Sequence, residues 1–163
     1  GGDWAKDRLI PDIMNSIFNG ETASIRNPNA IRPWQHVLDP LNGYLLLAEK
    51  LFSDGIKFAE GWNFGPAETD ARPVKRIAEE LVQSWGDGAS WTINATAGPH
   101  EAHFLKLDCS KAISLLGWRP TWSLDETLDT ICVWHKAMFN NEDMRSITVS
   151  QIKQFIKDSK INF

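Results

Sequence analysis

A mixed α/β or α+β fold is predicted from three features of the chain. Apolar stripes at helical spacing alternate with short extended runs, capping and breaking residues punctuate them, and no extended run is long enough for an independent doubly wound sheet. The 163 residues, 42% hydrophobic and 23% charged, suffice for a core without disulfide or metal staples. Folding at this size buries roughly two-thirds of the surface that the unfolded chain exposes.

Leu9, Ile10, Ile13, Met14, Ile17 and Phe18 share one helical face, with Pro11 near the start and Gly20 as a stop, which predicts a first helix. Thr22 to Arg26 and Ala30 to Val37 read as two extended runs separated by the turn-forming Asn27-Pro28-Asn29. Asp39-Pro40 then reads as a cap followed by proline in the first helical position. It opens a second helix with Leu41, Tyr44, Leu45, Ala48, Leu51 and Phe52 on one stripe and Asp54-Gly55 at its end. Trp62-Asn63-Phe64 before Gly65-Pro66 predicts a short buried strand, and Val74, Ile77, Ala78, Leu81, Val82 and Trp85 predict a third helix closed by Gly86.

Trp91, Ile93 and Ala95 alternate with polar residues as in a half-buried strand, and Phe104, Leu105 and Leu107 suggest another after the Gly98-Pro99-His100 loop. Asp108 is expected to cap a short helix running to Gly117. Ser123 with Glu126 forms a capping box for a helix through Leu128, Ile131, Cys132, Trp134 and Met138, and Thr148 with Gln151 repeats that signal for a terminal helix.

Seventeen basic residues against 21 acidic ones, with no basic run, argue against nucleic-acid or anionic-membrane binding. The longest uncharged apolar stretch, Tyr44 to Ala48, falls far short of the roughly 20 residues that span a bilayer, and the first residues carry no signal-peptide pattern, so the chain is read as cytoplasmic. Cys109 and Cys132 share no CxxC spacing and are expected as reduced, buried thiols. Most of the eight tryptophans are expected in the core.

Catalytic signatures are sparse. The chain has no G-x-S-x-G elbow, no P-loop and no G-x-G-x-x-G turn. His100, Glu101 and His103 form H-E-x-H, which lacks the spacing of zinc-binding H-E-x-x-H helices, so no metal site is assigned. That segment reads either as a polar loop making structural hydrogen bonds or, as its position between two strands favours, as donors closing over an anionic or sugar ligand. Arg26 and Arg32 flank the Asn27-Pro28-Asn29 turn. An arginine fork suits a diphosphate because it donates two hydrogen bonds at once; a solvated or carboxylate-paired arginine is the plainer reading, more so for Arg26 than for Arg32. Arg8 stands where the first helix begins and could add backbone donors to an anion, although any helix start shares that property. His36 and His135 lie in apolar patterns and are expected packed and hydrogen-bonded.

The strings GGDWAKDRLIPD, IRNPNAIRPWQHVLDPLNGYLLLAEKL, WNFGP, PHEAHFLKLDCSKA and LGWRPTWSLDETL resemble the carboxy-terminal half of the CDP-glucose 4,6-dehydratases, members of the extended short-chain dehydrogenase/reductase superfamily. LGW-x-P and WNFGP are shared widely among its sugar-nucleotide enzymes, whereas RNPNAIRPWQHV and PHEAHFLKLD look particular to the CDP-glucose branch. The resemblance implies a lyase with bound NAD: glucose C4 is oxidised, water is lost across C5 and C6, and the hydride returns to C6 to give CDP-4-keto-6-deoxyglucose. The NAD-binding Rossmann core and its Tyr-x-x-x-Lys pair are missing, since the single tyrosine, Tyr44, has Ala48 four places on. Residues 1–163 are therefore expected to be a substrate-binding lobe plus the last elements of a truncated Rossmann domain, a fragment inactive alone, without catalytic or cofactor-binding residues of its own.

By resemblance, Arg8, Leu9 and Ile10 would lie along the nucleotide, Arg32 would pair with the diphosphate, and Arg26 would sit near the cytidine side. His100, Glu101 and His103 would close over the nucleotide, with Ala102 and His103 standing where relatives often present an arginine. The expected partner is CDP-glucose or a related nucleotide sugar, and the full-length form is expected to be a homo-oligomer. The second helix and Trp62 to Phe64 would expose an apolar face in the lobe alone. A non-catalytic nucleotide-sugar-binding or oligomerisation module, or the same half of another nucleotide-sugar epimerase or reductase, are the alternatives.

Overall fold

The computed structural model describes residues 4–94 and 104–159. Helix α1 (Leu9–Phe18) turns Ile13, Met14 and Ile17 inward at the predicted spacing, and Pro11 is tolerated because it falls within the first turn, where no helical donor is lost. The chain then forms β1 (Ala23–Ile25), β2 (Ile31–Pro33), α2 (Leu38–Asp54), β3 (Ala71–Pro73), α3 (Val74–Trp85), β4 (Trp91–Ile93), α4 (Ser110–Leu116), α5 (Leu124–Phe139) and α6 (Met144–Asp158). The mixed class with short strands matches the sequence expectation.

The strands make two small sheets. Parallel β1 and β4 pair Ala23 with Trp91 and Ile25 with Ile93, and antiparallel β2 and β3 pair Arg32 with Arg72. Pro33 and Pro73 are compatible with this ladder because each is the last residue of its three-residue strand.

Two apolar cores carry the fold. In the first, Ile13, Met14 and Ile17 of α1 meet Ile25 of β1, Ile77, Leu81 and Trp85 of α3, and Leu124, Leu128 and Cys132 of α5. The second gathers Phe64, Cys109, Ala112 and Trp118, with Leu46 and Leu47 of α2 laid against it. Both cysteines are free and buried, as expected. The capping box is also present, with Glu126 N donating to Ser123 Oγ and Ser123 N to Glu126 Oε2.

Several local expectations are corrected. Asp39 does not cap α2: the helix begins at Leu38, and Asp39 is buried in its first turn, where its carboxylate accepts from Thr121 N at 2.6 Å. A distant backbone donor outbids the local cap. Thr148 does not open α6 either. Asp143 captures that helix start one turn earlier by accepting from Arg145 N at 3.1 Å, and Thr148 instead accepts from Trp134 Nε1 at 3.0 Å. Asp108 keeps a capping role from one residue before the cap position, accepting from Ser110 N at 2.9 Å.

Trp62 to Phe64 is irregular rather than a strand: the Gln35 side chain takes the place of a strand partner, its Nε2 donating to Phe64 O at 2.8 Å, and the segment's own Asn63 Nδ2 donates to Asp108 O at 3.1 Å. Nor does Phe104 to Leu107 form a strand; a single bridge joins Phe104 to Ile31. Ile93 of β4 is 59% exposed instead of facing inward, because its sheet has only β1 beside it among the described residues. The expected apolar exposure of α2 is found at Leu41, Tyr44, Leu45 and Phe52, whereas Phe64 is buried. No helix among the described residues is long and apolar enough to cross a membrane.

Candidate functional site

The first turn of α1 and the segment following β2 face each other across a cavity of about 370 Å³. Arg8, Leu9, Ile10 and Pro11 form one wall, Trp34 to Val37 another, and Ile131 and His135 of α5 complete the lining. Of the eight residues expected to bind, this cavity is lined by the three consecutive ones, Arg8, Leu9 and Ile10.

Each wall is fixed by long-range bonds. Trp34 Nε1 donates to Arg72 O at 2.8 Å, tying the segment to β3, and Gln35 Nε2 holds Phe64 O. His36 is buried, its Nδ1 accepts from Leu38 N at 3.3 Å, and its ring meets Trp122 edge-on at 4.8 Å. On the α1 side, Asp7 adopts a positive φ of 61° and accepts from Arg26 Nη2 at 2.6 Å. Arg26 therefore braces the approach to Arg8 through an exposed ion pair, the plainer of the two readings of its sequence context.

Arg32 lies on β2, two residues before Trp34, and its Nη1 donates to Ile31 O at 2.9 Å. It does not line this cavity. Pro33 lines a second, larger one of about 710 Å³, together with Gly65, Pro66, Lys106, Cys109 and Arg119. Extended backbone alternates its side chains, so Arg32 and Pro33, adjacent on β2, project to opposite sides of it. The expectations for His100, Glu101 and His103 lie outside the described residues.

The interior of the first cavity is uncharged. Burial drives the imidazoles of both His36 and His135 down to a pKa of about 4, so both are neutral at pH 7. Among the described residues of the lining, Arg8, exposed at the rim, brings the only fixed charge. A cation beside the amino end of α1 suits an anionic group, and an aromatic and amide-lined interior suits an uncharged polar ring. Among the described residues, no group of three or more His, Cys, Asp or Glu side chains could hold a metal.

Sequence reasoning missed Trp34, Gln35, His36 and His135 as wall residues. His36 is packed and hydrogen-bonded as expected. His135 is packed, but its Nδ1 has no hydrogen-bond partner among the described residues. Pattern along the chain reveals that both histidines are inside, not that one cavity joins them.

No protein-family model matches the chain. CDP-glucose 4,6-dehydratase of Salmonella typhimurium (strain LT2) is 54% identical over 156 residues, covering 96% of this chain and 44% of that protein. The chain thus spans less than half the length of this curated relative. Among solved structures, UDP-glucuronic acid 4-epimerase from Bacillus cereus in complex with UDP-glucuronic acid and NAD superposes with a TM-score of 0.68 at 22% identity, over 81% of this chain and 40% of that one. dTDP-glucose 4,6-dehydratase from Bacillus anthracis in complex with NAD gives 0.63 at 15% identity, over 86% and 42%. UDP-glucose-4-epimerase from Stenotrophomonas maltophila gives 0.67 at 17%, over 86% and 43%. The sequence likeness to that CDP-glucose 4,6-dehydratase runs over nearly the whole chain, and the chain shares its mixed α/β fold with part of each of these solved structures.

Proposed function

We propose that this chain supplies the nucleotide-sugar-binding part of a CDP-glucose 4,6-dehydratase, which converts CDP-glucose to CDP-4-keto-6-deoxyglucose with bound NAD. The observation that carries the reading is the 54% identity to such an enzyme across 96% of the chain. That Arg8, Leu9 and Ile10, the stretch the resemblance implies along the nucleotide, line a cavity is in keeping with it. NAD and the proton-transfer residues belong to the remainder of the full-length protein, so this chain alone binds substrate without turning it over. In the full-length protein the nucleotide runs past the first turn of α1, its phosphates paired with Arg32 on β2, its cytidine side near Arg26, and the His100 to His103 segment closing over it.

Titration of the chain with CDP, with UDP as competitor, tests this reading, followed by the same titration on Arg32→Ala. The expected result is preferential binding of CDP, weakened by about 2 kcal/mol in the variant because a charge-assisted bond to phosphate is lost. Equal affinity for CDP and UDP would reject the base preference, and an unchanged affinity in the variant would remove Arg32 from the phosphates. A folded chain that binds neither nucleotide would reject substrate binding by this part of the protein.

A further inference from the structure

Four charged residues meet where the chain enters α1, and they do not share one role. Arg8 lines the cavity, and its guanidinium has no hydrogen-bond or ion-pair partner among the described residues. Arg26 is outside the lining and gives its Nη2 to Asp7 Oδ1 at 2.6 Å, across 19 residues of chain. Both ends of that bond are anchored. Arg26 follows Ile25, which is buried in the first core and whose carbonyl accepts from Asn94 N at 2.8 Å. Asp7 takes its left-handed φ of 61° with its backbone amide turned to the carboxyl of Asp12, in the first turn of α1. Asp12 also feels the charges of Asp7 and Arg26. One guanidinium thus serves two carboxylates, and the other, next in the chain to Asp7, is left for a ligand.

We propose that Arg26 is a positioning residue for anion binding at Arg8: it acts through Asp7, cancelling a carboxylate that would otherwise repel a phosphate of the nucleotide, and does not itself touch the ligand. The inference deepens the substrate-binding reading above and rests on it. A phosphate that reaches Arg8 comes within one residue of the Asp7 carboxylate. Like charges at such a spacing still repel at low salt, because screening acts over about 10 Å at 0.1 M ionic strength. With Arg26 in contact, Asp7 presents a dipole rather than a net charge, and the repulsion falls away. Asp12 already takes the place that the amino end of α1 offers to a negative charge, so the phosphate depends on Arg8 rather than on the helix. The Arg26 and Asp7 side chains are 47% and 76% exposed, so their pair adds little to folding, and its removal separates binding from stability.

The test measures affinities for CDP and for cytidine, which carries no phosphate, on the parent chain, Arg26→Ala, and Arg26→Ala combined with Asp7→Asn. At low salt Arg26→Ala is expected to bind CDP about threefold more weakly, and the difference should shrink in about 0.5 M salt. The double variant should return to the parent affinity, because the repelling charge leaves with its partner. Cytidine should bind all three chains alike, and all three should unfold at the same urea midpoint. Unchanged CDP binding by Arg26→Ala overturns the proposal. A double variant that recovers less than half of the loss overturns it too, since Asp7 is then not the route. Weaker cytidine binding by Arg26→Ala places the guanidinium on the nucleoside and overturns it in favour of direct contact. If the parent chain binds neither CDP nor cytidine, the substrate-binding reading falls and the role of Arg26 falls with it.

Discussion

Gly43 and Phe64 meet so closely that a Cβ at position 43 would overlap the Phe64 ring. Phe64 sits between α2 and the second core, edge-on to Trp118 at 5.1 Å and to Tyr44 at 5.6 Å between centroids. The absence of a side chain at Gly43 is what lets α2 settle onto that core. Gly43→Ala would gain about 1 kcal/mol of helix propensity. Overpacking typically costs about 1–3 kcal/mol, and here the obstacle is a ring clamped by two others. Net destabilisation by about 1–2 kcal/mol is therefore expected, read from the midpoint of urea unfolding. A stabilised variant would show that α2 lies farther from Phe64.

Buried ionisable groups give opposing pH dependences. His36 and His135 have folded pKa values lowered to about 4, so the stability of keeping them neutral is present above about pH 6.5 and is lost as pH falls toward 4. Burial raises Asp39 to about 6, so its contribution is fully present below its unfolded value near 4 and disappears as pH rises through 6. From pH 7 to 5 each histidine costs about 2 kcal/mol, and Asp39 returns about 1 kcal/mol. Urea unfolding at these two pH values should show a net loss of about 3 kcal/mol, larger in Asp39→Asn, where the opposing contribution is gone. A smaller loss in that variant would contradict the direction of the Asp39 shift.

The elements that could be read from the chain are those whose limits are set locally. Helices α1 and α3 have an apolar face and a glycine stop at Gly20 or Gly86, and α5 carries its capping box within four residues. The misread positions took partners far along the chain. Asp39 answers Thr121, Thr148 answers Trp134, and Phe64 O is held by Gln35. The candidate site divides in the same way. Arg8, Leu9 and Ile10 are legible as a helix start with the right resemblance, but their alignment with Trp34, Gln35 and His135 depends on packing α1 against α5, which no local pattern encodes.

Two capping positions can be compared directly. Asp143 holds Arg145 N at 3.1 Å and Ser146 Oγ at 2.6 Å, whereas Thr148 sits within α6 and accepts from Trp134 Nε1. Asp143→Ala should cost about 1 kcal/mol, the usual value of a lost cap, and Thr148→Ala distinctly less. The reverse order in thermal unfolding would restore the helix start predicted at Thr148.

The solvent face of α2 predicts association of the chain with itself. Phe52 is 94% exposed, Leu45 61% and Tyr44 57%, and Ile56, just beyond the helix, is 90% exposed. Single exposed apolar residues are ordinary on protein surfaces, but contiguous ones on one helix face make a patch that water penalises in proportion to its area. The opposite face of the helix is already committed to the second core through Leu46 and Leu47, so rotating the helix cannot hide Leu45 and Phe52 without uncovering those residues. Association is the remaining way to bury the patch when this chain is alone. Sedimentation velocity is expected to show a weight-average mass that rises with concentration, and Leu45→Lys combined with Phe52→Glu should return a monomer without lowering the unfolding midpoint. A sharp, concentration-independent monomer in the parent chain would mean that the patch is too broken by Glu49 and Lys50 to drive contact.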